Sequence, residues 1–123
     1  MKKTAFTLLV FTLLFALVGC RPDFVGNAYV TNTGYHMDFS ALNRTESAEL
    51  SLEDDEELRI IISLTEGFVD LTITGNNENA YTGTELKNEA FTVGTSGAGR
   101  YRISVRGENA AGKIEILRRK TAD

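Results

Sequence analysis

Hydrophobic residues recur at every second position along most of this chain, and that period narrows its fold more than any other feature. Leu58, Ile60, Ile62 and Leu64 share one side of a run whose other side carries Arg59, Ile61 and Ser63. Val69, Leu71 and Ile73 then alternate with Asp70, Thr72 and Thr74. Successive side chains of an extended strand point to opposite faces, whereas a helix gathers one face at spacings of three and four, so the pattern predicts half-buried strands. The two runs, separated by Glu66-Gly67, predict a hairpin. Gly75-Asn76-Asn77-Glu78-Asn79 predicts a turn, because these residues tolerate left-handed backbone.

The same period returns on both sides. Tyr35, Met37 and Phe39 alternate with His36, Asp38 and Ser40, and Ala48, Leu50 and Leu52 with Glu49 and Ser51. Phe91 and Val93 flank Thr92 ahead of a loop at 94–99. Tyr101, Ile103 and Val105 then alternate with Arg102, Ser104 and Arg106. Residues 107–112 predict a further turn, and Ile114 and Ile116 a last short strand with Lys113 and Glu115 outward. Seven or eight short strands divided by turn signals point to an all-β fold, an antiparallel β-sandwich or jelly roll. The expected core is Leu50, Leu58, Ile60, Ile62, Leu71, Ile73, Phe91, Val93, Tyr101, Ile103, Val105, Ile114 and Ile116. A chain of 123 residues suits one domain, expected over 28–118 with a short tether at 20–27 and a basic tail at 119–123.

The first residues break the pattern. Met1-Lys2-Lys3 is followed by an apolar stretch at 5–18, the build of a secretory signal peptide. A membrane-spanning helix takes roughly 20 apolar residues. This stretch is shorter, and Thr7 and Thr12 interrupt it. Taken alone, the segment is also compatible with ordinary cleavage near Gly19 and a free exported thiol. Its end, Leu17-Val18-Gly19-Cys20, resembles a bacterial lipobox. The resemblance implies removal of residues 1–19, a diacylglyceryl group on the Cys20 thiol, a further acyl chain such as palmitate, and Cys20 as the mature N-terminus. Each buried methylene contributes about 0.8 kcal/mol, so two or three chains anchor stably where one does not. The expected location is therefore extracytoplasmic, lipid-anchored to the bacterial cell membrane.

Over residues 48–117 the order of features resembles the bacterial pre-peptidase C-terminal domains. The Leu50-Ser51-Leu52 strand, the acidic turn, the strand from 58 to 64 and Gly99-Arg100-Tyr101-Arg102-Ile103-Ser104-Val105 carry the likeness. Where that family commonly has Gly-Asp, the turn here is Glu53-Asp54-Asp55-Glu56-Glu57. The resemblance implies a small envelope β-sandwich. A fold of this kind hosts many functions.

Charge and residue inventory narrow the function further. The chain has 13 basic and 17 acidic side chains; without Lys2 and Lys3 of the leader the balance is 11 to 17, or −6. A nucleic-acid partner calls for a broad basic face and is not expected. One histidine, His36, and one cysteine, Cys20, leave little for nucleophilic catalysis, and no Gly-rich loop has a phosphate-binding pattern, so no enzyme activity is expected. No metal site is expected; calcium takes hard oxygen ligands, and if it binds the acidic run Asp54 and Asp55 are the best candidates. Consecutive carboxylates on an extended segment diverge, however, and a solvated turn that blocks edge pairing is the competing account.

Arg100, Arg102 and Arg106 line the outward side of one strand. They form either a candidate binding face for anionic glycan, polymer or lipid headgroups, or cross-strand pairs with Glu115, Glu89 or Asp70. Tyr29, Tyr35 and Tyr81 are candidate stacking rings for sugar or else packing residues. Arg118, Arg119 and Lys120 suit either an anionic bilayer or a solubilising tail. The expected function is a non-catalytic interaction or structural module of the envelope, without a cofactor beyond the lipid on Cys20. Its partners are the membrane and an envelope protein or polymer. The alternative is a ligand-binding module for envelope glycan or a divalent cation.

Overall fold

The structure, a computed structural model, describes residues 22–121. The leader, the lipobox and Cys20 lie outside the described residues. Seven strands follow one another: β1 (Phe24–Val30), β2 (Gly34–Leu42), β3 (Thr45–Leu52), β4 (Glu56–Gly75), β5 (Glu78–Leu86), β6 (Asn88–Val93) and β7 (Gly99–Lys120). They form one antiparallel sheet, and no helix occurs among the described residues. The all-β expectation from the period-two pattern is met.

Two strands are far longer than the sequence predicts. β4 has 20 residues and β7 has 22, and they pair along nearly their whole length, from Glu56 opposite Lys120 to Gly75 opposite Tyr101. The runs at 58–64 and 69–73 are therefore two halves of β4, not the arms of a hairpin. Likewise residues 107–112, expected as a turn, stay within β7. The ladder shifts register between Leu64 and Glu66 and again between Glu66 and Phe68. These bulges let both strands bend and continue.

The bulges also keep the apolar side inward. In β4 the buried positions run Leu58, Ile60, Ile62 and Leu64, then change parity to Val69, Leu71 and Ile73. β7 changes in the same way, from Tyr101, Ile103 and Val105 to Ala110, Ile114 and Ile116. A one-residue slip in a strand swaps its faces, so without the bulges one half of each strand would present its hydrophobic side to water. Gly67 sits at this corner with φ of 68°. A Cβ there would run into the Glu108 and Asn109 carbonyl oxygens of β7.

The bend gives the sheet two halves. β1, β2 and β6 join the half made by the start of β4 and the end of β7, while β3 and β5 join the other. Their inward side chains meet in a single core, so the fold is β-sandwich-like although the ladder is continuous. Twelve of the thirteen expected core residues are buried, and Phe91 packs partly buried against them. Leu42, Leu52, Leu64, Val69, Leu86 and Ala110 complete the core together with Tyr35, Met37 and Phe39.

The expected ends also shift. Residues 24–27, expected within the tether, pair with β2 as part of β1. Arg119 and Lys120, expected in a tail, pair with Glu57 and Glu56 at the end of β7. Both corrections have the same cause: a neighbouring strand offers backbone partners that satisfy these amides whatever their side chains.

Replacing Gly67 by alanine adds a side chain at a left-handed position with no space for one. Such strain costs about 1–3 kcal/mol. A Gly67→Ala chain should melt several degrees below the parent, and an unchanged melting temperature would contradict the corner geometry.

Candidate functional site

The outward face of the β3–β7–β4–β5 half carries Arg100, Arg102 and Arg106. At its end, a two-residue turn joins β4 to β5, with Gly75 opposite Glu78 and Asn76 and Asn77 at φ of 51° and 59°. Two consecutive left-handed residues make a turn whose twist matches that of the flanking strands. Beside it, Glu49, Thr74, Gly75, Asn76, Asn77, Glu78, Arg100 and Arg102 line an open cleft of about 480 Å³.

Asn76 sets the shape of this end. Its Nδ2 donates to the Ala98 carbonyl (3.1 Å) and to the Tyr101 hydroxyl (3.0 Å), and the Tyr101 hydroxyl donates in turn to the Gly97 carbonyl (2.7 Å). The loop before β7 is thereby tied to the β4–β5 turn. Tyr101 is fully buried and its ring lies where any side chain at residue 75 would stand, which explains a glycine there. Neither tie has a signal in local sequence beyond the Gly-x-Tyr pattern and the turn itself.

The three arginines are all exposed. Arg100 and Arg102 line the cleft; Arg106 lies farther along β7, opposite Thr45 and Asp70. The partner that structure supplies is Glu49 of β3, which faces Arg102 in the ladder and lies 3.8 Å from Arg100. Of the partners named from sequence, Asp70 is next to Arg106 but accepts from the Glu85 amide (2.9 Å). Glu89 and Glu115 belong to the other half of the sheet. The cleft thus offers guanidinium donors beside carboxylate and amide groups, a mixed lining suited to a polar or anionic ligand and not to an apolar one.

The acidic turn is organised differently from a cation site. Asp54 Oδ1 accepts from the Ala98 amide (3.0 Å), while Asp55 Oδ2 accepts from Lys120 Nζ (3.0 Å). Lys120 also lies 3.9 Å from Glu53, and Arg119 lies 3.5 Å from Glu57. The hydrogen bond from Lys120 holds the Asp55 carboxyl below its ordinary value and raises the Lys120 ammonium in return. Among the described residues no three His, Cys, Asp or Glu side chains are arranged to hold a metal ion. The acidic run and the C-terminal basic cluster, read separately from sequence, are partners in space.

His36 lies on the other half of the sheet. Its Nε2 is within 2.9 Å of Thr31 Oγ1 and 3.0 Å of Thr33 Oγ1, and its ring stacks on Tyr29 at 5.3 Å between centroids. The cleft and the only histidine are not brought together. Of the candidate stacking tyrosines, Tyr29 is exposed, Tyr81 packs against Phe91 at 5.0 Å, and Tyr35 is buried in the core. Tyr35 is accordingly a packing residue and not a ligand platform, because strand alternation turns it inward with Met37 and Phe39.

Comparison with known proteins finds no matching family model and no matching curated protein.

Burial pushes the Tyr35 phenol up to about 12, and the Glu46 carboxylate nearby adds to the rise. An unfolded chain releases this proton near the ordinary value of 10.0. The unfolded state therefore binds fewer protons in that window, and stability falls as pH rises. Tyr35 should contribute fully below pH about 10 and progressively less towards about 12. Denaturant unfolding across that range should show the loss, and Tyr35→Phe should flatten it; an equal slope in the variant would contradict the assignment.

Proposed function

We propose that this chain is a lipoprotein of the bacterial envelope, anchored through lipid on Cys20 and acting without catalysis as an interaction or structural module outside the cell membrane. The observation that carries the reading is the lipobox-like Leu17-Val18-Gly19-Cys20 in the sequence, which stands immediately before the domain. β1 starts at Phe24, so only residues 21–23 separate the expected lipidated cysteine from the sheet. At about 3.3–3.6 Å per residue the domain is held within roughly 15 Å of its anchor. A domain tied that closely meets partners in the membrane plane or in the layer directly above it.

The cleft favours a second reading, a binding module for an anionic envelope glycan. Arg100 and Arg102 supply its guanidinium donors, and Asn77 and Glu78 share the lining. The carboxylates of the acidic turn support a cation site less well, because Asp54 and Asp55 point to different partners.

The intact mass of chain extracted from membranes tests the main reading. The expected species begins at Cys20 and carries added diacylglyceryl and acyl mass. A chain beginning at Cys20 without lipid mass, or one retaining residues 1–19, would overturn it.

A further inference from the structure

We propose that β1 is a self-pairing edge, through which two copies of this chain join their sheets antiparallel about a two-fold axis at Ala28. This inference stands apart from lipidation. Among the described residues the exposed large hydrophobic side chains are Val25, Tyr29 and Val30, and all three belong to β1. β1 pairs on one side only, with β2. Ala28 and Val30 lie on the core side of the sheet, opposite Met37 and Tyr35, yet both are exposed. The other half of the fold does not reach over them.

Sheet edges are ordinarily guarded by charge, proline, bulges or short length. The edges β3, β5 and β6 each carry glutamate. β1, with sequence FVGNAYV, carries no charged residue and is the one uncharged strand of the seven. Copies of an acidic domain repel one another, so an uncharged strip is the surface through which they can approach.

Backbone phase and side-chain size agree on one register. Thr31 and Gly34 exchange both backbone hydrogen bonds, at 2.8 and 3.3 Å. Antiparallel pairs alternate between bonded and unbonded positions. Tyr29 and Asn27 therefore bond towards β2, and the N–H and C=O of Gly26, Ala28 and Val30 face outward. An antiparallel copy centred on Ala28 places Ala28 against Ala28, Gly26 against Val30 and Asn27 against Tyr29. The glycine that lacks a side chain thus meets the exposed valine. The pairing uses residues 26–30, on the far side of the bulge between Val25 and Gly26.

Oxidative crosslinking on whole cells expressing the full chain tests the proposal. Directly bonded antiparallel positions have Cα atoms about 5.5 Å apart, within the range a disulfide spans. Ala28 is exposed, so Ala28→Cys leaves the core untouched. The parent chain controls for Cys20, and Ser47→Cys, exposed on β3, controls for chance collision. The expected result is a reducible dimer several-fold stronger in Ala28→Cys than in either control. Equal dimer in Ala28→Cys and Ser47→Cys would overturn the proposal, as would a mixed disulfide with another protein in place of the dimer.

Discussion

Every other strand of this protein depends on the pairing of β4 with β7. β2 and β3 take their backbone partners from the free side of β7, and β5 and β6 take theirs from the free side of β4. Leu58, Ile60, Ile62, Leu71 and Ile73 on one strand, with Tyr101, Ile103, Val105, Ile114 and Ile116 on the other, form the centre of the core. Burying a side chain of this size contributes about 1.5–3 kcal/mol before entropy is subtracted. A single ladder can make both layers only because it bends, and it bends where Gly67, Asn109 and Gly112 take positive φ.

The polar chemistry follows from this frame. The outward side of the half that contains β3 and β5 holds the arginines and the cleft, fixed by Asn76 and Tyr101 at the β4–β5 turn. The end of β7 brings Arg119 and Lys120 to the acidic turn, where they offset charge that would otherwise repel. Exposed ion pairs of this kind contribute little each, so their role is to order the turn more than to stabilise the fold. β1 lies at the far edge from the cleft half, next in sequence to Cys20. β1 and the cleft thus lie in different halves of the sheet.

Much of the fold was legible because strand alternation is a local property. The faces of β2, β3, β4 and β7 follow directly from it, and the Asn76-Asn77 turn follows from residue type. What alternation does not distinguish is a bend from a hairpin. Thr65-Glu66-Gly67 has the composition of a turn, and only the opposing β7, with its own irregularity at Asn109, keeps the chain extended. The tether and tail were misread for the same reason, since their pairing lies in distant residues. At the candidate site, exposure of Arg100, Arg102 and Arg106 was readable. Their neighbour Glu49 was not, because it is set by the β3–β7 register. Tyr35 shows that an aromatic residue's role depends on its parity within the strand, while Cys20 rests on sequence alone.

Residue-resolved amide hydrogen exchange on the full chain, followed with increasing denaturant, tests the central role of the β4–β7 ladder most directly. The account predicts that amides of Ile60, Ile62, Ile114 and Ile116 in one half and Leu71, Ile73, Ile103 and Val105 in the other open together, at the free energy of global unfolding. Separate opening of either half at lower free energy, with the other still protected, would contradict it.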